Sequence, residues 1–369
     1  MEKMAEEPLR VLQVVTNMSY GGLENLLMNY YRNIDRNRIQ FDFLTHVSIH
    51  QDFEEEIEAL GGRIYRLPRL NPFSPSYVKV LNRFFAEHPY KVVHSHLDCM
   101  SAIPLQAARK QGCLIRIAHS HNSSQVKNLK YPIKLYFRRK IFRYATDLFA
   151  CGKEAGKWMF QGKGFTIMSN AIDAQEFRLN EEIAGEVRQE LGIEDCFVVG
   201  HVGQFRTEKN HLFLIDVFAE ILKREKRARL VLVGKGPQMQ PAIEKVKVLG
   251  VQEKVLFLGA RADISRLMQA MDVFVLPSTH EGLPVTLIEA QASGLPCVIS
   301  DGVPLECKLT NDVKQVPLAE ATGVWAEHIL RYRDYVCSDN YSAIVSAGYD
   351  IRSNVNWLEE FYCNACCRN

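Results

Sequence analysis

Residues 272 to 300, Asp272-Val-Phe-Val-Leu-Pro-Ser-Thr-His-Glu-Gly-Leu-Pro-Val-Thr-Leu-Ile-Glu-Ala-Gln-Ala-Ser-Gly-Leu-Pro-Cys-Val-Ile-Ser300, decide how the chain is read. Residues 272–276 are short, apolar and β-rich, and Pro277 and Ser278 close the run. That is the pattern of a strand buried in a parallel sheet. A polar turn follows, Thr279-His280-Glu281-Gly282. Pro284 stands where a helix can begin, because the N–H it lacks would be unpaired there. The spacing predicts a helix over 284–293, stopped by Gly294, and a further strand over 295–300. Strand, turn and helix start make an anion site. The N–H groups of Gly282, Leu283, Val285 and Thr286 are expected to point out of the helix N-terminus, and Gly282 lets a ligand approach the backbone. Glu281 precedes the helix and Glu289 lies two turns into it. Neither suits a phosphate, but both suit ligand hydroxyls. A diphosphate with a hydroxyl-rich group on each side is a nucleotide sugar. The same residues are compatible with an ordinary βαβ unit carrying one surface and one solvated glutamate.

Working outward, a chain of 369 residues has room for two domains, each with its own core. Hydrophobic residues make up 47% and charged residues 24%, as in soluble globular proteins. A net charge of +2 gives no general attraction to nucleic acid. No apolar run approaches the roughly eighteen residues that span a bilayer. The acidic start, Met-Glu-Lys-Met-Ala-Glu-Glu, has no apolar core of a signal peptide. Ten cysteines, several in apolar strands, read as reduced buried thiols of a cytosolic protein. Cys363, Cys366 and Cys367 have partial metal-ligand spacing but no completing pair or nearby His, so no metal site is expected.

Strand patterns at 10–16, 41–45, 63–67, 90–95, 114–120, 147–151 and 164–169 alternate with helical ones. The same alternation resumes at 197–202 and runs through 228–233, 255–258 and 272–276. Such βα alternation predicts doubly wound parallel sheets. After Asp301 the regularity drops, with helices expected over 319–332, 341–349 and 354–362. Ligands of open α/β sheets bind beyond the carboxyl ends of strands, so the loops there hold the candidate site residues. They are Gly21 and Gly22 after the first strand, His119 and His121 at the end of 114–120, Arg206 and Lys209 after 197–202, Gly234 after 228–233, and Arg261 after 255–258. His119 and His121 are two apart and share one face of an extended segment. His94 and His96 end the preceding strand and read as shaping residues. Gly234-Lys-Gly-Pro237 is not a dinucleotide fingerprint, which argues against a dehydrogenase. Residues 127–144 carry seven cations, no acid and interleaved aromatics. They read either as a helix with a solvated basic face or as a contact for an anionic membrane surface. No nucleic-acid module accompanies them.

Glu281-Gly-Leu-Pro-Val-Thr-Leu-Ile-Glu289 resembles the E-x7-E segment of the retaining, nucleotide-sugar-dependent glycosyltransferases of the GT-B fold (family 4, glycosyl transferases group 1). Their architecture is two facing Rossmann-like domains. The resemblance covers nearly the whole chain and is nearest to capsular and exopolysaccharide glycosyltransferases. It implies that Glu281 lies by the donor sugar and Glu289 by the ribose, with Gly282 and Leu283 at the phosphates. Gly21-Gly22 before Glu24 resembles the Gly-Gly-x-Glu loop that faces the cleft. His121-Asn122 fits the family's His segment slightly better than His119-Ser120, and both remain candidates. Asn170-Ala-Ile-Asp173 resembles the segment where the chain leaves the first domain. Lys209 matches the cation that holds the donor diphosphate. Gln204 stands where an Arg is expected, so Arg206 is the candidate guanidinium from a shifted position. The loop containing Arg261 faces the base, and the last helix crosses back onto the first domain.

These expectations set residues 1–175, with a last helix at about 345–369, as an acceptor-side domain, and 176–344 as the nucleotide-sugar domain. The expected activity is retaining transfer of a sugar from a nucleotide diphosphate sugar, a UDP-sugar first, to a glycan or lipid-linked saccharide. Catalytic candidates are His121, His119 and Glu281. No Asp-x-Asp dyad stands in a metal-holding position, so no cofactor is expected and cations with a helix start take the metal's place. The expected location is cytoplasmic, at the inner face of the membrane. A nucleotide-sugar epimerase or phosphorylase on the same fold, or a non-catalytic nucleotide- or sugar-binding protein, remain alternatives. An epimerase needs no acceptor, and a binding protein releases no nucleoside diphosphate.

Overall fold

The computed structural model describes residues 7–19, 21–122 and 131–366. The first part of the basic stretch, 127–130, and Cys367 lie outside the described residues. The chain divides into two units, Met1–Ala171 with Ile351–Asn369, and Ile172–Asp350.

The first unit runs β1 (Leu9–Val14), α1 (Gly22–Asn33), β2 (Ile39–Thr45), α2 (Glu54–Ala59), β3 (Ile64–Arg66), α3 (Pro75–Glu87), β4 (Val92–Ser95), α4 (Ala102–Lys110), β5 (Ile115–Ser120), α5 (Tyr131–Tyr144), β6 (Asp147–Ala150), α6 (Lys153–Phe160) and β7 (Thr166–Ile167). Its strands are all parallel, in the order β3-β2-β1-β4-β5-β6-β7. β2 and β4 are buried along their whole length, as strands covered by helices on both faces must be. Val11, Phe41 and Phe43 pack to one side with Tyr30 and Tyr31 of α1, and Leu12, Val14 and Val93 to the other with Phe84 and Phe85 of α3.

The second unit runs α7 (Glu181–Leu191), β8 (Val198–Val202), α8 (His211–Arg224), β9 (Arg229–Val233), α9 (Met239–Val248), β10 (Val255–Gly259), α10 (Ile264–Gln269), β11 (Val273–Leu276), α11 (Val285–Ala292), β12 (Cys297–Ser300), β13 (Val313–Val316), α12 (Thr322–Leu330) and α13 (Tyr341–Ser346). Its parallel sheet has the order β10-β9-β8-β11-β12-β13. β13 was not anticipated. It is a four-residue edge strand whose inner positions, Lys314 and Gln315, hide its apolar alternation. The last helix, α14 (Ile351–Cys366), returns to the first unit, where Leu358 and Tyr362 join the core with Met28 and Phe41. Glu359 of α14 accepts from the Asp35 N–H at 2.7 Å and pairs with Arg38 at 2.8 Å.

Both sheets therefore reverse strand order once, between β1 and β4 and between β8 and β11. Loops leaving the carboxyl ends of neighbouring strands diverge at such a point and leave room for a ligand. Cys99, Cys113, Cys151, Cys297 and Cys307 are buried.

Candidate functional site

In the second unit the reversal point brings together the loop after β8 and the turn after β11. Gly234 has φ +140°, and a Cβ on it would lie 2.0 Å from the Gly203 carbonyl oxygen. Gly236 has φ +155°, and its Cβ would lie 2.5 Å from the Phe205 oxygen. The β9 loop is thus pressed backbone to backbone against the β8 loop, which only glycine permits. Thr279 N–H donates to the Glu208 carbonyl at 2.8 Å, and Glu281 N–H to the Gly302 carbonyl at 2.9 Å. These anchors place the Lys209 ammonium 2.5 Å from Glu281 Oε1, in a largely buried ion pair.

The helix α11 begins one residue later than expected. Pro284 is its cap, not its first residue, with ψ 102°. The N–H groups of Gly282 and Leu283 donate to no backbone carbonyl among the described residues. Thr286 Oγ1, in the first turn, is buried with no hydrogen-bond partner among them. Glu289 is half-buried rather than solvated. Burial, and after it the charge of Glu176, push its carboxyl up to about 7. Beneath the β8 loop, His201 Nδ1 donates to the Val275 carbonyl at 2.8 Å, and His211 stacks on Phe205 with centroids 3.9 Å apart. Burial holds both imidazoles neutral, down to about 4 and about 2. Arg206 is exposed, its guanidinium free of ion pairs among the described residues, and Arg261 forms a two-point pair with Asp263 at 2.7 and 2.5 Å.

In the first unit the sequence pattern His-x-His occurs on two neighbouring strands. The register pairs His94 with Ile117 and Ser95 with Ala118, which sets His94 and His96 beside His119 and His121 on one face. Their rings form a stack, with centroids of His94 and His96 at 4.2 Å and of His119 and His121 at 4.0 Å. His94 Nδ1 meets the Tyr362 hydroxyl of α14 at 2.7 Å, and His94 Nε2 meets His119 Nδ1 at 3.1 Å. His96 Nδ1 meets His121 Nε2 at 3.0 Å, and His96 Nε2 meets Gln13 Oε1 at 2.9 Å. Burial lowers all four, His121 to about 3, so they are neutral at pH 7. Nitrogens of His94, His96 and His119 come within 4.8 Å of one another, as metal ligands do. Nearly all of them are already spent on hydrogen bonds, so the arrangement is a hydrogen-bonded stack rather than a ligand set. Asp98, at φ 47°, accepts from the His121 N–H at 2.9 Å and from Asn122 Nδ2 at 2.6 Å, which ties down the turn after β5.

Gly21 caps α1 in an extended conformation, and a Cβ on Gly22 would meet nothing within 4 Å. The fold itself does not demand glycine at Gly22. On α5, Tyr136, Arg139, Phe142 and Arg143 are exposed, and the Lys140 ammonium lies 5.2 Å from the Tyr136 ring centroid. Arg138 departs from the expected solvated face. It donates to the Trp158 carbonyl at 3.0 Å and lies over the Trp158 ring at 5.0 Å.

The structure thus gathers Lys209, Gly234, Glu281, Gly282, Leu283 and Glu289 at one reversal point, and in the other unit sets His119 near the end of β5 and His121 just beyond it. Arg261 is turned onto its own loop. Sequence reasoning missed Gln13, Asp98, Tyr362 and the hydroxyl, though not the N–H, of Thr286. The repeated His-x-His was a visible signal for the stack, whereas Gln13 and Tyr362 reach it through the tertiary fold alone.

Residues 196–331 match the family described as glycosyl transferases group 1, and residues 20–176 match glycosyltransferase family 4. The putative glycosyltransferase EpsF of Bacillus subtilis strain 168 is 37% identical over 372 residues, covering 96% of each chain. An Escherichia coli UDP-Gal:alpha-D-GlcNAc-diphosphoundecaprenol alpha-1,3-galactosyltransferase is 27% identical over 252 residues, 63% of each. The crystal structure of Anabaena HepE in complex with UDP superposes with a TM-score of 0.79 at 19% identity, over 96% of this chain and 100% of that one.

Proposed function

Because the chain belongs to the family 4, group 1 glycosyltransferases, of GT-B fold, we propose that it moves a sugar, with retention, from a nucleotide diphosphate sugar to a glycan or lipid-linked saccharide. The observation that carries this reading is the Lys209–Glu281 pair at the mouth of the N-terminus of α11. An ammonium, unpaired N–H groups and the positive end of a helix suit a diphosphate, and carboxylates at Glu281 and Glu289 suit the hydroxyls on either side of it. On binding, Lys209 turns from Glu281 to the diphosphate. Glu281 is then released to accept from the transferred sugar, and Glu289 accepts from the ribose. Thr286 Oγ1 adds a donor at the phosphates. The relatives' names support a UDP-sugar donor and a diphosphoundecaprenol-linked saccharide as acceptor.

Lys209 and Arg206 with the start of α11 neutralise the leaving diphosphate, the task a divalent cation performs elsewhere. His121 serves the reacting sugar and acceptor, and Gly22 lets the acceptor or phosphate approach the backbone of α1. The exposed basic and aromatic stripe of α5 supports docking of the protein on the anionic inner face of the membrane, where a lipid-linked acceptor lies.

The test is to incubate the purified protein with a panel of nucleotide sugars and acceptors and follow nucleoside diphosphate release. Release that depends on acceptor supports transfer. A changed nucleotide sugar without acceptor supports an epimerase, and no release from any donor supports a binding protein. With EDTA the rate is expected to stay nearly unchanged. Complete loss, restored by Mg²⁺ or Mn²⁺, overturns metal-independent transfer.

A further inference from the structure

The four stacked histidines form two hydrogen-bonded chains, and one of them has a set polarity. Gln13 Oε1 lies 2.9 Å from His96 Nε2. An amide oxygen only accepts, so His96 Nε2 carries the proton. A neutral imidazole carries one proton, which makes His96 Nδ1 the lone-pair nitrogen. Its 3.0 Å contact with His121 Nε2 is then a bond that His121 donates. The proton of neutral His121 is thereby placed on Nε2, and Nδ1 is left as its lone-pair nitrogen. The other chain has no such direction. His119 Nδ1 meets His94 Nε2 and His94 Nδ1 meets the Tyr362 hydroxyl, which can donate or accept.

We propose that Gln13 and His96 are positioning residues that hold His121 as its Nε2–H tautomer, so that Nδ1 accepts from a hydroxyl of the donor sugar or the acceptor. The proposal rests on the reading of His121 as a residue of the transfer reaction. Backbone and ring are held separately. Asp98 anchors the His121 N–H at 2.9 Å, while Gln13, wholly buried on β1 beside β4, sets the proton through His96. This also separates the two candidate histidines. His121 is only partly buried, with a defined acceptor nitrogen, whereas His119 is buried with no partner on Nε2 among the described residues.

The full-length protein, labelled with ¹⁵N-histidine, is to be studied by long-range proton–nitrogen correlation at about pH 7.5. The His121 ring is assigned by its disappearance in His121→Gln. The expected pattern is a pyrrole-type Nε2 and a pyridine-type Nδ1. Gln13→Met keeps the side chain's size and removes its acceptor. It is expected to give a mixture of His121 tautomers and a loss of transfer rate of about tenfold or more in a protein that stays folded by circular dichroism, with a lower melting temperature from the unpaired His96 N–H. A pyrrole-type Nδ1 in the parent, which the opposite orientation of the Gln13 amide produces, overturns the proposal. So does a Gln13→Met spectrum with His121 unchanged. The parent spectrum needs no substitution at Gln13, so a misfolded variant leaves the test intact. The expected tautomer in a protein that transfers no sugar refutes the catalytic reading and the use assigned to Nδ1, while the hydrogen-bond chain stands.

Discussion

At the scale of single residues, the two glutamates of the E-x7-E segment differ in environment as well as position. Glu289 is half-buried with its carboxyl at about 7, while Glu281 is paired with Lys209. An ionised Glu289 is the better acceptor for ribose hydroxyls. Its ionised fraction grows as pH rises through about 7, so binding of nucleoside diphosphate should strengthen between about pH 6 and 8 by that route. In Glu289→Gln this component should vanish, which calorimetric titration of both proteins at several pH values reads directly. An identical pH dependence in the two would remove Glu289 from the nucleotide. Glu281→Ala should weaken the sugar donor by about 1.5 to 3 kcal/mol yet leave the bare diphosphate bound at least as tightly as in the parent, because Lys209 no longer has to leave Glu281. Equal losses for both ligands would end that division of labour. Lys209→Ala and Arg206→Ala should each lower turnover about tenfold or more, roughly 1.4 kcal/mol of transition-state stabilisation. Parent-like turnover in Arg206→Ala would mean that the exposed guanidinium does not replace the Arg missing at Gln204.

At the scale of elements, α1 and α5 carry the sharpest expectations. A methyl at Gly22 meets nothing within 4 Å among the described residues and improves helix propensity by up to about 1 kcal/mol. Gly22→Ala should therefore fold at least as well as the parent, yet transfer more slowly if a substrate approaches that backbone. Unchanged kinetics would leave Gly22 without a functional role. On α5, Arg138 is committed to Trp158, so its replacement would confuse membrane contact with packing. The informative variant neutralises Arg139, Lys140 and Arg143. It should lower binding to vesicles containing anionic lipid by about 1 kcal/mol per cation, and parent binding should weaken as salt rises. Equal partitioning of the parent to neutral and anionic vesicles would dispose of the membrane contact.

At the scale of the whole molecule, buried neutral histidines make the fold sensitive to acid. Burial lowers His46, His94, His96, His119 and His121 in the first unit and His201 and His211 in the second. A histidine whose folded value lies below its ordinary 6.5 binds its proton more readily when unfolded. Its contribution is complete above about pH 6.5 and is lost as pH falls below that. Glu289, raised to about 7, acts in the opposite sense, since its stability penalty grows as pH rises from the ordinary carboxylate range to about 7. Burial raises Asp98 and Asp272 as well, which act in the same sense as Glu289, but seven buried histidines outnumber these three carboxyls, so the urea midpoint should fall between about pH 7.5 and 5.5. A midpoint that is flat or rises on acidification would show that the imidazoles are not buried neutral. No helix among the described residues is long and apolar enough to cross a membrane.

The sequence by itself determined the layered architecture. Short apolar strands separated by helices leave two parallel sheets covered on both faces as the economical way to bury them. It also placed the anion-binding turn at Glu281-Gly-Leu-Pro, since a strand end, a glycine and a helix start are local features. The edge strand β13 escaped because four residues with two polar centres carry too little alternation to be read. Only the tertiary structure decided which residues meet. The pairing of Lys209 with Glu281 depends on β8 and β11 lying side by side at a reversal of strand order, which no spacing along the chain encodes. The four histidines meet because β4 and β5 are in register, and their protons are ordered by Gln13 from β1, while Tyr362 joins from a helix more than 250 residues away. Hydrogen-bond partners are set by distance in space, and only folding brings β1, β4, β5 and α14 within that distance.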